Sequence, residues 1–377
     1  MVRNFITLIT LAVFVWLVWS FSGRNTPLKS PDGYISVVEE INLADTLSRN
    51  ILGVQPYMEV SDYFNQAVFK EKLKKYIIAS SAKGLIRKNT LIVYPESIGT
   101  WLFLINEKHN LAEKKQLHKV LRAIAFSNAF DFLLGYIKTG DESNKEFSSI
   151  IRMKAKSMAK AYFETFGELA IETNSYLLAG SIVLPGPKVM NGEIYVDLNG
   201  SLRNASFLFG PDGKVVGDPI FKTFPHSAES TYFSFPDSAD SQVFNLPFAK
   251  TAVILGYDSW FDQAYESAKS NDAEVIINPS FLSGNHSLLS KWQDFDGIHE
   301  PKNLDPADAG VLTIKDAWEK YSLPTQLKDM KSKVGLTVFF NGNLWDMGKG
   351  GHPIVVYNDE ILPSIPAGKG GIWSLNY

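Results

Sequence analysis

Apolar residues along this chain fall into two kinds of run, and their spacing separates strands from helices. Ile51 to Met58 (ILGVQPYM) and Thr90 to Tyr94 (TLIVY) are short, nearly unbroken apolar stretches, as in strands covered on both faces; the second halts at Pro95. Between them Ala67 to Ala82 reads as a helix. From Leu111 to Asn174 the period lengthens. Leu117, Leu121 and Ile124, then Phe130, Leu133, Leu134 and Ile137, are spaced as one helical face, and a second segment carries Phe147, Ile150, Ile151, Met158, Tyr162, Phe166 and Leu169. A polar gap from Thr139 to Lys145, with Gly140 inside it, parts the two, so the pattern predicts a helical hairpin inserted over about 105–174. Its stripes face a core, or form a lid or an element resting on a membrane.

Strand-like runs then return in quick succession: Tyr176 to Leu184, Ile194 to Leu198, Ala205 to Phe209 and Lys214 to Val216, with Pro211-Asp212-Gly213 as the turn between the last two. Further on, Thr251 to Leu255 reads as a buried strand, Trp260 to Ser270 as a helix and Glu274 to Ile277 as a strand. Val334 to Phe340 and Pro353 to Tyr357 supply late strands. Strands alternating with helices and hairpins predict a layered α/β (α+β) sandwich over 49–360, with a lead-in at 24–48 and a tail at 361–377.

The amino terminus has a different character. Phe5 to Phe21 (FITLITLAVFVWLVWSF) is uncharged and apolar, near the minimum of about 17 residues for crossing a bilayer, with Trp16 and Trp19 suited to an interfacial end. Residues 1–23 therefore read as a signal-anchor, a single transmembrane helix followed by a polar linker from Arg24 to Asp32. The rival is a cleaved signal peptide, for which Ser20, Ser22 and Gly23 are the only small residues near a cut site. Arg3 and the free amino terminus oppose Arg24 and Lys29 across the segment. Either reading delivers the main domain outside the cytoplasm.

Composition narrows the chemistry. Of 377 residues 45% are hydrophobic, enough for a large core. Lys plus Arg (37) against Asp plus Glu (40) leaves a net charge of -3, which supplies no field for nucleic acid. There is no cysteine, which excludes disulfides, thiolate zinc sites, iron-sulfur clusters and a thiol nucleophile. The six histidines, His226, His286, His299 and His352 among them, are scattered, so neither a metal nor another cofactor is implied.

Three strand ends carry the remaining interest, because open sheets present reactive groups just beyond the carboxyl ends of strands. They are Glu96 after TLIVYP, Lys222 after VVGDPIF and Gly256 in ILGYDSW. Singly, each has a bland reading: a solvated loop acid, a surface charge, a tight turn. In this order, over most of Ile51 to Tyr357, they resemble the nitrilase-like carbon-nitrogen hydrolases. LIVYPE matches that family's proline and glutamate base at Pro95 and Glu96. LLAGSIVLP, an NG turn and an asparagine-led strand into PDG match at Gly180, Ser181, Asn191, Gly192, Asn204, Pro211, Asp212 and Gly213. The family lysine falls on Lys222 and its second glutamate on Glu229. ILGYDSWFDQAYESA stands where the family reads Cys-Tyr-Asp, so the nucleophile position is Gly256; AEVIINPS and NGNLWDMGKGGHPIVV match later segments.

The resemblance implies a four-layer α-β-β-α sandwich, and a homodimer paired through its helical layers. It also implies a reaction in which Glu96 takes the thiol proton and Lys222 stabilises charge developing on the substrate, while Glu229 orients the lysine or makes a second proton transfer. Gly256 removes the attacking group. Tyr257 and Ser259 are the nearest hydroxyls, but a shift of one or three positions misdirects them. Asp258 is expected to cap the following helix or bond to backbone in its turn, and Asn278, Pro279 and Ser280 to shape a loop at the pocket rim. The expectation is an anchored relative without the thiol reaction that still recognises a small amide, carboxylate or acylated ligand, or a protein partner. The alternatives are a hydrolase using a water in the space left by the missing side chain, an acyl-transfer relative, and a scaffold.

Overall fold

The computed structural model describes residues 2–27, 34–43, 49–140, 142–236, 242–282, 288–347 and 350–377. Residues 28–33 and 44–48 of the lead-in, His286, and residues 348–349 of the late glycine-rich stretch lie outside them. Among the described residues, five α-helices occupy the first half of the chain: α1 (Val2–Phe21), α2 (Gln66–Ala82), α3 (Leu117–Ser127), α4 (Ala129–Ile137) and α5 (Lys145–Thr173).

The apolar runs build two sheets. Seven strands lie in the order 35–41, 370–376, 49–55, 89–93, 176–185, 202–209, 215–221, and six in the order 243–245, 250–253, 275–280, 334–339, 354–357, 360–362. At the centre of each, three neighbours run parallel. Because strand side chains alternate, each central strand feeds two cores. Leu91, Val93 and Leu178 turn inward against Ile277, Leu336 and Val338 of the other sheet. Ile92, Leu177 and Ala179 turn outward against Phe69 and Leu73 of α2 and Phe166 of α5. On the far side Ile254, Ile276 and Phe339 meet Trp318, Leu323 and Leu327 from helices Ile314–Tyr321 and Leu323–Lys328. The result is the expected four-layer α-β-β-α sandwich, in which a fully buried aliphatic side chain is worth roughly 1.5–3 kcal/mol. The two sheets approach closely at Gly53, where a Cβ would sit 3.0 Å from Leu336 and Val338.

Several elements differ from expectation. The run 51–58 is two strands, Arg49–Gln55 and Tyr57–Glu59, because Pro56 has no N–H for the ladder. The strand expected at 194–198 is Glu193–Val196, which forms a small separate hairpin with Pro187–Met190. The strand expected at 214–216 runs on through Phe221. The helix expected over 260–270 is two 3-10 turns, Gly256–Trp260 and Asp262–Tyr265, before a single α-turn. The sheet also reaches past residues 49 and 360: Ile35–Ile41 pairs parallel with Gly370–Asn376, which carries the carboxyl-terminal stretch into the sheet beside Arg49–Gln55.

The helical insertion is three helices. Leu117, Leu121 and Ile124 of α3 face the core, but α4 turns 105° away at Asn128, and its Phe130, Leu133, Leu134 and Ile137 point outward. The single apolar face expected across both helices therefore divides in two. At the amino terminus α1, 20 residues and about 30 Å long, is long and apolar enough to cross a membrane.

Candidate functional site

Glu96 is delivered by a buckle between two strands. After strand 89–93 ends, the Tyr94 N–H still reaches the Leu178 carbonyl, while Pro95 cannot continue the ladder. The partner strand bulges between Leu178 and Ser181, where Gly180 adopts φ +70° and comes so close that a Cβ would lie 2.0 Å from the Pro95 carbonyl oxygen. Ser181 then grips the loop twice: its Oγ accepts from the Ser97 N–H at 2.7 Å and its carbonyl accepts from Gly99 at 2.9 Å. Ser97 itself stands at φ +63°, a strained conformation for a serine that these contacts hold beside Glu96.

Lys222 and Glu229 arrive from the strand 215–221 and the short turn Ser227–Ser230. The three expected residues meet. Lys222 Nζ donates to Glu96 Oε1 at 2.8 Å and to Glu229 Oε1 at 2.7 Å, and Asn204 Nδ2 donates to Glu96 Oε1 at 2.9 Å. Glu96 and the Lys222 ammonium are fully buried. Burial pushes the Glu96 carboxyl up to about 7, against the pull of Lys222. Burial also works against the Lys222 ammonium, but Glu229, Glu96 and Asp258 together outweigh it and hold its pKa well above the ordinary value.

Gly256 opens the 3-10 turn that follows strand 250–253, at φ +52°. It lies directly against the pair. A Cβ here would sit 2.4 Å from Glu96 Oε2 and 2.9 Å from Lys222 Nζ, so the carboxylate occupies the space in which a side chain would begin. The turn is fixed by Asn278, whose Nδ2 donates to the Ile254 and Gly256 carbonyls at 2.8 and 3.1 Å. Of the neighbouring hydroxyls, Ser259 Oγ is spent on the Gly256 carbonyl at 2.8 Å, and the Tyr257 ring faces Lys222 at 5.9 Å.

Two expectations about this turn are corrected. Asp258 caps nothing in its own segment: its carboxyl oxygens accept from the Thr223 and Phe224 N–H groups at 2.7 and 2.8 Å, tying the turn to the loop after Lys222. Asn278, Pro279 and Ser280 are not a rim loop but the buried end of strand 275–280. Asn204, Ser181 and the long-range role of Asp258 had no signal beyond the pattern match, because each acts on a residue far away in sequence.

A cavity of about 520 Å³ opens beside the cluster, walled by Tyr257, Trp260, Trp292, Phe295 and Trp318, with His226 and Asp296 among its polar groups. This aromatic wall was missed, although three of the eight tryptophans fall between residues 260 and 318. Glu96 and Lys222 do not line it. Glu229 reaches a second, smaller cavity of about 60 Å³, beside Ser97, Trp101 and Phe233. The two cavities share Leu117, Tyr232 and Met347 as a partition.

No family model matches the chain, and no curated protein matches it. Solved structures do. An amidase from Nesterenkonia sp. superposes with a TM-score of 0.51 at 11% identity, over 93% of this chain and 94% of that one. A cysteine-to-alanine variant of the Nesterenkonia sp. AN1 amidase, from the nitrilase superfamily, gives 0.54 at 11% identity, over 88% and 90%. A third, the same amidase with acrylamide added at its active-site cysteine, gives 0.52 at 11%, over 87% and 93%. At this identity the likeness is one of fold: the chain has the fold of nitrilase-superfamily amidases across most of its length, and it has no cysteine.

Proposed function

We propose that this protein is a membrane-anchored relative of the nitrilase-superfamily amidases that has lost their thiol chemistry and works by recognition. One observation carries the reading: the turn where the nucleophile is expected holds Gly256, and Glu96 Oε2 stands 2.4 Å from where its Cβ would be. Removing the nucleophile of an unrelated hydrolase costs roughly 10⁶ in turnover. Here the space for a substitute nucleophile is taken as well, which counts against a route through water at this position. The aromatic cavity beside the buried ion cluster has a volume suited to a small ligand with an apolar body and a polar end, which His226, Lys291 and Asp296 of its own lining would meet. A small amide, carboxylate or acylated molecule fits that description.

Anchoring rests on how α1 meets the domain. Ser20 donates to the Ser127 carbonyl, Arg24 to the Asn106 carbonyl at 2.7 Å and to Asn128 at 3.0 Å, and Lys108 lies 3.5 Å from the Trp19 ring. A segment destined for removal has no need of such contacts, which favours a retained span; the extracytoplasmic side for the main domain is proposed from the sequence of the segment alone.

The test uses the full chain in detergent or vesicles. A panel of small amides, carboxylates and N-acyl compounds is screened by calorimetric binding, and amides and nitriles are assayed for turnover, in the unaltered protein, Glu96→Ala and Trp260→Ala. Binding that weakens in Trp260→Ala, without turnover, is the expected result. Turnover by the unaltered protein that disappears in Glu96→Ala sinks the proposal, and the absence of binding across the panel leaves a scaffold as the better reading.

A further inference from the structure

The outward face of α4 is a run of exposed apolar side chains. Phe130, Leu133, Leu134 and Ile137 are 71, 55, 61 and 72% exposed, and Phe126 at the end of α3 is 62% exposed. The domain itself imposes this orientation. The side of α4 opposite the apolar face carries Gly135, seated so tightly on α5 that a Cβ would lie 2.4 Å from the Ser149 carbonyl oxygen. The inner face of α4 is therefore already used, with Phe132 turned to the core, and Leu133, Leu134 and Ile137 are left facing outward.

The patch is continuous with the anchor. Trp19 of α1 packs edge-on against Phe126 at 5.3 Å, Trp16 packs against Phe130 at 6.0 Å, and the Trp16 Nε1–H donates to the Phe126 carbonyl at 3.3 Å. The corner between α3 and α4 is pinned by Asn128, which donates to both oxygens of Glu107 at 3.1 and 3.0 Å and accepts from Arg24 at the end of α1. Charge follows the same axis. Lys119 and Arg122 stand exposed on α3 at helical spacing from Phe126, forming a basic stripe that runs into the aromatic corner, while Asp131 is the only acid on the two helices. At nine residues and about 14 Å, α4 is too short to cross a bilayer.

We infer that α4 lies in the bilayer interface beside α1, its apolar face in lipid and the α3 basic stripe at the headgroups, so that the domain rests on the membrane at two points. Basic residues beside an aromatic and aliphatic face are the arrangement of an interfacial helix on anionic lipid. The inference rests on the anchoring reading of α1. It has a consequence for ligand access: Leu117 and His118, at the other end of α3, line the large cavity, about 12–14 Å from Phe126 along the helix. An acylated ligand partitioned into the bilayer would meet that cavity without leaving the membrane surface.

Because the chain has no cysteine, single nitroxide labels are readily placed in the full-length protein in phosphatidylcholine–phosphatidylglycerol vesicles. Leu133→Cys and Ile137→Cys report on α4, Leu11→Cys on the anchor and Lys156→Cys on the exposed side of α5. The ratio of collision with oxygen to collision with a water-soluble nickel chelate is the readout. The α4 labels are expected to match Leu11→Cys and to exceed Lys156→Cys several-fold. If Leu11→Cys is in lipid while the α4 labels match Lys156→Cys, the inference fails and the anchor stands; if Leu11→Cys is also open to nickel, both fail. Protection of the α4 labels from both reagents overturns the inference too, with spin–spin broadening marking a second copy on this face and its absence marking cover by the chain itself.

Discussion

Replacing Gly256 with alanine tests the central geometry. Two costs are separable. Alanine at φ +52° enters the left-handed region, at about 1–2 kcal/mol. The second cost is steric and electrostatic: ordinary contact begins near 3.4 Å, and the new Cβ would meet Glu96 Oε2 at 2.4 Å. The carboxylate would have to retreat from Lys222 and Asn204, which it meets at 2.8 and 2.9 Å, and weakening a hydrogen bond to a charged group costs about 1.5–3 kcal/mol. Together the substitution should cost about 3–5 kcal/mol. At a specific unfolding entropy of about 2.1 cal/mol/K per residue, this chain loses roughly 1.3 °C per kcal/mol, so Tm should fall by about 4–6 °C.

A double-mutant cycle with Glu96→Ala divides the two contributions. With the carboxylate removed, the backbone strain remains together with the 2.9 Å approach to Lys222 Nζ, the end of a flexible side chain that can yield, and Gly256→Ala should then cost about 1–2 kcal/mol, leaving a coupling of about 2–3 kcal/mol. Thermal and urea unfolding of the four proteins measures it. Equal costs in the two backgrounds would show that Glu96 does not fill the space beside Gly256, and the argument for a closed site would fall. The same geometry predicts that Gly256→Cys does not by itself restore a nucleophile, since the thiol would have to displace the group expected to deprotonate it.

Three further outcomes follow from the surroundings of this turn. Burial raises the Glu96 carboxyl from its usual 4.5 to about 7, and Asp258 moves the same way for the same reason. The folded state therefore holds protons that the unfolded chain releases, so this stabilisation is complete below about pH 4 and is lost as pH rises through about 7; Tm should fall from pH 5 to 9, and Glu96→Gln should flatten the slope. Asp258→Asn leaves one of the Thr223 and Phe224 N–H groups facing another donor, at about 1–3 kcal/mol, and faster amide exchange at those two residues checks it. Gly180→Ala drives a Cβ to 2.0 Å from a backbone oxygen, where no flexible side chain can yield, so its loss of Tm should exceed that of Gly256→Ala; an equal or smaller loss refutes the buckle as the device that places Glu96.

The central strands were legible because burial on both faces leaves an apolar run that no other element explains, as in TLIVY and AEVIINPS. The sheet edges were not. Ile35–Ile41 carries Glu39 and Glu40, which suit an edge strand but read as linker, and Gly370–Asn376 opens on two glycines that read as a break. Lys222 reads at the end of VVGDPIF, but the expected strand is bounded at 214–216, short of Gly217, Asp218 and Pro219, residues that strands seldom carry. Of the site, Glu96, Lys222, Glu229 and Gly256 were found through the order of their segments, and the structure brings them together. Asn204 and Ser181 act across 108 and 84 residues of sequence, and no local pattern encodes such a partnership. The outward face of α4 misled because helical periodicity reports that a helix has an apolar side and not what that side meets.

The ion cluster also bears on how a site can outlast its chemistry. Lys222 lies within one buried set of three acids, Glu96, Glu229 and Asp258, and removing the lysine would cost about 3–5 kcal/mol because the acids are left uncompensated. That is a large fraction of the 5–15 kcal/mol by which folded domains are stable. A chain without the thiol but with these buried acids would still need Lys222 to fold, whether or not it ever touches a substrate. An intact Glu96–Lys222–Glu229 arrangement is therefore weak evidence for activity, and the turn beside it bears more directly on function. There Gly256 is the one position of the set whose side chain the network does not use, and its absence is what allows the Glu96 carboxylate to close over the site.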